Sequence, residues 1–141
     1  MLVPDVNVFV NAVIEPSIHH RPSAEWLRRV GTGRESVAIS DFVMSSVVRV
    51  TTGVRMEKSR RTAAEAFAFC EADYKMPTAA RIAEGPRHWS LFREIVLASG
   101  ISGPDVTDAY LAAFALENDA TFVTFDRGFR RFPGLRVFVL E

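Results

Sequence analysis

The sequence Ala120-Thr-Phe-Val-Thr-Phe-Asp126 combines β-branched and aromatic residues and ends on an acid. This composition predicts a strand over residues 120–125, because such side chains pack well on a pleated sheet. Residues 126–132 predict a short helix or turn, and a last strand follows over 135–140, after Pro133-Gly134. Both strands are nearly continuous in apolar residues, which is typical of parallel strands that are buried on both faces.

Helices and strands alternate along the rest of the chain. Apolar periodicity and capping residues predict strands over 2–4 and 36–40, and helices over 6–14, from 22 to the glycines at 31 and 33, and over 42–52, 60–74, 88–99 and 105–116. Ser59 is the predicted N-cap of the helix that ends at Tyr74, and residues 76–82 are ambiguous. The alternation predicts an α/β domain with a parallel sheet, in which ligands bind beyond the carboxyl ends of the strands.

The length and composition limit the class of protein. A chain of 141 residues allows one domain, residues 1–141, with a substantial core. Hydrophobic residues make up 48% and no apolar run is long enough to span a membrane. The N-terminus lacks the pattern of a signal peptide, which predicts a cytoplasmic protein. Cys70 is the only cysteine, so a disulfide framework or a cysteine-based zinc site within one chain is excluded.

The charge balance does not by itself indicate a nucleic-acid binder. The net charge is zero, with 17 basic and 17 acidic residues. Lys58 and Lys75 are the only lysines, so arginine dominates the basic residues. Arginine suits phosphate recognition, although the codon preference of a GC-rich genome explains the same bias.

Four aspartates occupy positions that favour a shared site. Asp5 and Asp126 each follow a predicted strand, so both lie on the same rim of the sheet if those strands are neighbours. Asp105 and Asp108 share one face of the first turn of a helix. Each acid alone is also explained by stabilisation of a helix N-terminus. Together they repel, because two carboxylates about 4 Å apart cost about 4 kcal/mol at an effective dielectric near 20.

A divalent cation would remove this repulsion. Ligand sets made only of oxygen suit Mg²⁺ or Mn²⁺, which also bind phosphates. The chemistry expected of such a centre is hydrolysis of a phosphodiester. Asn7 and Thr124 lie two residues from Asp5 and Asp126, and both can orient a carboxylate or a metal-bound water. Hydrogen bonding at a helix start and at a strand end explains these two residues equally well.

Three segments resemble the PIN domain family, and most closely the VapC-type toxins of bacterial toxin–antitoxin pairs in their mycobacterial branch. They are Asp5-Val-Asn7, Asp108-Ala-Tyr-Leu-Ala-Ala and Thr124-Phe-Asp126-Arg-Gly-Phe129, and the spacing 126 − 108 = 18 also matches. The ending Phe132-Pro-Gly-Leu135 extends the resemblance over the whole chain.

The resemblance implies a three-layer α/β/α sandwich with a central, mostly parallel sheet of four to five strands. It implies an endoribonuclease that requires Mg²⁺ or Mn²⁺ and inhibits translation by cleaving tRNA or ribosomal RNA. Asp5, Asp108 and Asp126 would be the catalytic residues and metal ligands, with Asp105 as an auxiliary acid. A homodimer and a cognate antitoxin of the VapB type are also implied.

One position departs from the family pattern. The family usually carries a glutamate in the helix after the second strand, and Ser46-Val-Val-Arg49 fills that place here. Ser46 can hold a water but adds no charge, which puts metal affinity in question. Arg49 is a candidate for binding phosphate or one of the acids, and a surface ion pair is the equal alternative.

Arginines after Asp126 are further candidates for contacts with RNA. If the segment is helical, Arg127 and either Arg130 or Arg131 point to one side, close to the acids. RNA needs cations in order to approach a cluster of carboxylates. A solvated helix face explains the same residues.

Two rival interpretations use the same residues. An aspartate-based phosphotransfer protein also places acids at strand ends, but it needs a lysine at a later strand end, where neither Lys58 nor Lys75 lies. The second rival is a catalytically weak PIN-like module that binds RNA or protein, which the serine at position 46 would favour.

Overall fold

A computed structural model describes all residues, 1–141, and its elements follow closely from the sequence pattern. The strands are β1 Leu2–Pro4, β2 Val37–Ser40, β3 Ala79–Ile82, β4 Thr121–Thr124 and β5 Arg136–Val139. The α-helices are α1 Val6–Val13, α2 His20–Gly31, α3 Asp41–Thr51, α4 Ala63–Tyr74, α5 His88–Ser99 and α6 Asp105–Glu117. Two 3₁₀ segments complete the chain, at Val54–Ser59 and Arg127–Arg131.

The five strands form one sheet in the order β3-β2-β1-β4-β5, and every pairing is parallel. The predicted parallel α/β fold is confirmed, and the sheet is entirely rather than mostly parallel. Strand β1 lies at its centre although it is the first element of the chain. Its register with β4 pairs Pro4 with Val123, so the carboxyl ends of these two strands lie side by side.

Helices cover both faces of the sheet in a three-layer α/β/α arrangement. Helix α1 packs against α2, α3 and β4, whereas α6 packs against α5, β1 and β4. Small residues of α6, including Ala109, Ala112 and Ala113, are fully buried, which lets the helix lie close to the central strands. None of the helices combines the length and the apolar character that a membrane crossing requires.

Two local predictions need correction, and one ambiguous segment is resolved. Helix α4 is capped by Thr62 rather than Ser59, through a capping box with Glu65. Of Ser59 and Thr62, only Thr62 has a glutamate three residues later, which supplies the second bond of that box. Helix α2 begins at His20, two residues before the predicted start at Pro22. The ambiguous residues 76–82 contain β3, an edge strand.

Candidate active site

The two central strands bring Asp5 and Asp126 to one rim of the sheet. Asp5 follows β1, and its backbone N–H donates to the Val123 carbonyl of β4 at 2.8 Å. Asp126 follows β4 after one intervening residue. The environments of the two acids differ, because the Asp5 side chain is buried, at 5% exposure, whereas Asp126 is exposed.

Neighbouring polar side chains fix the Asp5 carboxylate. Its Oδ2 accepts from the Thr124 hydroxyl at 2.6 Å and from Asn7 Nδ2 at 2.8 Å. Asn7 Nδ2 also lies 3.0 Å from Thr124 Oγ1, so the three side chains form a closed triangle. The residues predicted to orient an acid therefore both contact Asp5, and one carboxylate oxygen, Oδ1, takes part in neither bond.

Burial dominates the electrostatics of Asp5. Loss of water raises the pKa of Asp5 to about 6, the hydrogen bond from Thr124 opposes this rise, and the charges of Asp108 and Asp126 add to it. The charges of Asp108 and Asp126 thus reach Asp5 although the three residues come from three separate segments. A nearby cation would favour the ionised form of Asp5.

Asp126 shapes the turn that follows it. Its Oδ1 accepts from the Gly128 backbone N–H at 2.7 Å and caps the 3₁₀ segment Arg127–Arg131. A Cβ atom at position 128 would lie 2.9 Å from that oxygen, so glycine leaves the carboxylate room to bend over the turn. The turn then brings Arg131 back towards α6.

The first turn of α6 holds the other two acids, and Arg131 of the 3₁₀ segment is their cationic neighbour. Arg131 Nη2 lies 2.9 Å from Asp108 Oδ2 and 3.9 Å from Asp105 Oδ1. The pKa of Asp108 is nevertheless raised, because its burial outweighs the favourable charge of Arg131, and Asp126 and Asp105 add to the rise. Asp105 is more exposed than Asp108, at 58% against 28% of the side chain.

A pocket of about 390 Å³ opens between α1, α3 and α6 beside these acids. Asp5 and Asp108 line it together with Ser46 and Arg49. The Ser46 hydroxyl donates to the Phe42 carbonyl of its own helix at 3.2 Å, so it is directed at the backbone rather than at an aspartate. Arg49 is exposed and forms no ion pair.

Of the three arginines that follow Asp126, the structure brings only Arg131 against the acids. Arg127 turns to Glu141, at 3.3 Å, and Arg130 is exposed without an ion pair. The prediction that Arg127 lies close to the acidic rim is therefore wrong in this arrangement. The reason is the 3₁₀ geometry, which differs from a regular helix in its turn angle and places residues three apart on one side.

The donor chemistry of the site fits a divalent cation. Asp5, Asp108 and Asp126 offer only hard oxygen ligands, and the buried Asp5 lacks a compensating charge. In this structure no three His, Cys, Asp or Glu side chains converge tightly enough to form a ready metal site. Arg131 instead supplies the positive charge nearest to Asp108.

Sequence reasoning missed Asn11, which lines the same pocket. Its Nδ2 donates to the Asn7 backbone carbonyl at 2.7 Å. The signal was present, because residues four apart on a helix share a face and Asn7 and Asn11 have that spacing on α1.

Comparisons with known proteins agree with this fold and site. The PIN domain model matches residues 2–135. The VapC ribonuclease Mb2897 of Mycobacterium bovis is 37% identical over 136 residues, which cover 96% of this chain and 92% of the relative.

Two solved structures share the fold at low sequence identity. VapBC2 of Rickettsia felis, crystallised with a promoter DNA fragment, has a TM-score of 0.71 at 16% identity, covering 99% of this chain and 98% of the other. VapC20 of Mycobacterium tuberculosis, a toxin that cleaves the sarcin–ricin loop, has a TM-score of 0.68 at 13% identity, covering 96% and 99%.

The fold and the acidic rim together define a class of α/β/α proteins with carboxylates at the ends of parallel strands. The chain belongs to the PIN domain family and, within it, to the VapC ribonucleases of the mycobacterial type. The predictions of a PIN-like fold and of a ribonuclease of this branch are confirmed.

Proposed function

We propose that residues 1–141 act as one endoribonuclease domain that requires Mg²⁺ or Mn²⁺, with Asp5, Asp108 and Asp126 as metal ligands and Asp105 as an auxiliary acid. The observation that carries this proposal is that Asp5 and Asp108, from separate segments of the chain, line one pocket, while the charge of Asp126 acts on both of them. The charge of the buried Asp5 has no cationic partner, and a metal ion held by these carboxylates would remove the cost of their repulsion.

When bound, the metal ion would activate a water molecule and neutralise the attacked phosphate. The chain's own residues prepare this site. Thr124 and Asn7 hold Asp5 in one orientation, and the Gly128 backbone N–H holds Asp126. Arg49, on the wall of the pocket and free of ion pairs, is the best placed cation for a phosphate of the RNA.

The other arginines are weaker candidates for RNA contacts. Arg130 is exposed without an ion pair, and Arg127 would exchange Glu141 for a phosphate. Arg131 has a different position, because a metal ion bound by Asp108 would compete with it. Release of Arg131 would leave a guanidinium beside the attacked phosphate.

We also propose that the ribonuclease is the toxin of a toxin–antitoxin pair in the cytoplasm, and that it inhibits translation by cleaving tRNA or ribosomal RNA. The relatives named VapC and the VapBC2 complex support a VapB-type antitoxin as partner. The cleavage of the sarcin–ricin loop by VapC20 supports a ribosomal RNA target. A homodimer is proposed on the resemblance alone.

Incubation of the purified protein with total RNA tests the activity. Wild-type protein should cleave RNA with Mg²⁺ or Mn²⁺ and not with EDTA, whereas Asp108→Asn and Asp126→Asn should not cleave. Asp119→Asn is the matched control, because Asp119 is 91% exposed and pairs with Arg136 away from the pocket. Cleavage that survives both site variants would refute the proposal.

A catalytically weak module that binds RNA or protein is the second candidate. Ser46 stands where the family has an acid, and Arg131 already pairs with Asp108, so the site holds less negative charge than the family pattern. Calorimetric titration with Mg²⁺ separates the two functions. The nuclease requires binding that Asp108→Asn weakens, whereas the module predicts no metal binding together with retained RNA binding.

A further inference from the structure

His19 and Phe125 form a stacked pair of rings near the acids Asp5 and Asp126. Their centroids lie 4.4 Å apart, with 27° between the ring planes. Phe125 directly precedes Asp126, and His19 is the residue before the first turn of α2. Both side chains are half-buried, so each ring keeps part of its surface in solvent.

A continuous hydrogen-bond network ties this pair to the acids. The Phe125 backbone N–H donates to Asn7 Oδ1 at 3.3 Å, and Asn7 is the residue that holds Asp5. Asn11 Nδ2 donates to the Asn7 carbonyl, Ser17 Oγ donates to Asn11 Oδ1 at 2.6 Å, and the His19 backbone N–H donates to Ser17 Oγ at 3.1 Å. The backbone at His19 and at Phe125 is therefore held by hydrogen bonds from side chains that lead back to Asp5.

Two arginines lie beyond the rings. Arg21 and Arg127 come two residues after His19 and Phe125, and they pair with Glu25 and Glu141. Arg21, Glu25 and Glu141 line one groove of about 550 Å³. Both side chains of each ion pair are exposed. Because surface ion pairs contribute little free energy, the two arginines are available to phosphates.

We propose that the His19–Phe125 pair is a platform on which an unpaired nucleobase of the RNA stacks, next to the phosphate that is attacked. This inference rests on the proposed ribonuclease function. Proteins recognise single-stranded RNA by stacking splayed bases on aromatic and histidine rings, and a base held in a duplex cannot reach such a surface. The backbone would continue from the platform towards Arg21 and Arg127. The platform therefore selects single-stranded segments over paired ones.

Two oligomers of equal length and charge test this assignment. One is a fluorescein-labelled single-stranded RNA of mixed sequence, and the other is its abasic counterpart. Binding is measured by fluorescence anisotropy in millimolar Mg²⁺, with the full chain carrying Asp108→Asn so that the RNA stays intact. Phe125→Leu and His19→Leu are each added to this background. Phe67→Leu on α4 is the matched control, because its ring is exposed outside the network.

The platform variants should bind the RNA about 5- to 150-fold more weakly, which is the range for one stacked base, and should bind the abasic oligomer as before. If the rings had a purely structural role, the variants would bind both oligomers more weakly and to the same extent, and this result would overturn the assignment. Unchanged binding of the RNA, or no binding of either oligomer to the background protein, would overturn it as well.

The proposed function and this inference fail in different ways. If wild-type protein cleaves RNA but its binding does not depend on the bases, only the platform is wrong. If it does not cleave RNA and the platform variants lose binding of the RNA alone, the nuclease proposal is wrong and the platform belongs to a binding module.

Discussion

The buried carboxylate of Asp5 should lower the stability of the metal-free protein at neutral pH. Asp5→Asn should therefore stabilise the metal-free protein, and it should also abolish cleavage. Folding raises the pKa of Asp5 from 3.8 to about 6. The folded chain therefore holds this proton more tightly than the unfolded chain does. The free energy of unfolding falls as the pH rises between these two values, and the penalty is complete above the higher one.

The size of the effect follows from this shift. A rise of about two pKa units corresponds to a penalty of about 3 kcal/mol. Asparagine removes the charge but also weakens the bonds from Thr124 and Asn7, which offsets about 1 kcal/mol. The expected net gain is about 2 kcal/mol at pH 8, or a rise in Tm of about 4–8 °C, and it should shrink towards zero near pH 4.

Thermal unfolding of wild type and Asp5→Asn across this pH range measures the difference directly. Glu94→Gln is the control, because Glu94 is exposed and unpaired, and it should shift the free energy of unfolding by no more than about 0.5 kcal/mol. Millimolar Mg²⁺ should raise the Tm of wild type and not that of Asp5→Asn. A difference between the two proteins that stays constant from pH 4 to pH 8 would refute the reasoning.

Three further substitutions have defined outcomes. Thr124→Val removes the hydroxyl that donates to Asp5 and should cost about 1–3 kcal/mol in urea unfolding at pH 8, and an unchanged midpoint would contradict that role. Ser46→Glu adds an acid to the pocket, so it should tighten Mg²⁺ binding about tenfold in calorimetry and should lower the Tm in the absence of metal. Weaker Mg²⁺ binding by this variant would count against the proposed metal site. Thr62→Ala should cost about 1 kcal/mol in urea unfolding without affecting cleavage, because Thr62 only caps α4, and any loss of cleavage would contradict this.

The elements that place the site could be predicted because their signals are local. The strand over 121–124 is rich in β-branched and aromatic residues, and the alternation of strands and helices favours parallel neighbours. The adjacency of β1 and β4 is only a condition of the prediction, and the sheet order of the structure meets it and puts Asp5 and Asp126 on one rim. Strand β3 escaped prediction because an edge strand needs no continuous apolar run, and its residues are only half-buried or exposed.

The contacts that set the charge of the site could not be predicted in the same way. Arg131 pairs with Asp108 across 23 residues of sequence, and the 3₁₀ turn after Asp126 decides which of the three arginines reaches α6. The stacking of His19 on Phe125 joins residues from distant parts of the chain, with no periodic signal in either segment. The N-cap of α4 could have been predicted, because Thr62 and Glu65 form the capping box in the sequence itself.

The position of β1 at the centre of the sheet affects how the protein comes into being during synthesis. Strand β1 leaves the ribosome well before β4, one of its two partners in the sheet, and the pairing of the two must wait until β4 is made. Pairing across such a separation is slow, because a long loop must close before any contact forms. Asp5 and Asp126 therefore meet only after β4 has been made, and a prematurely terminated chain that lacks β4 would carry no assembled acidic site.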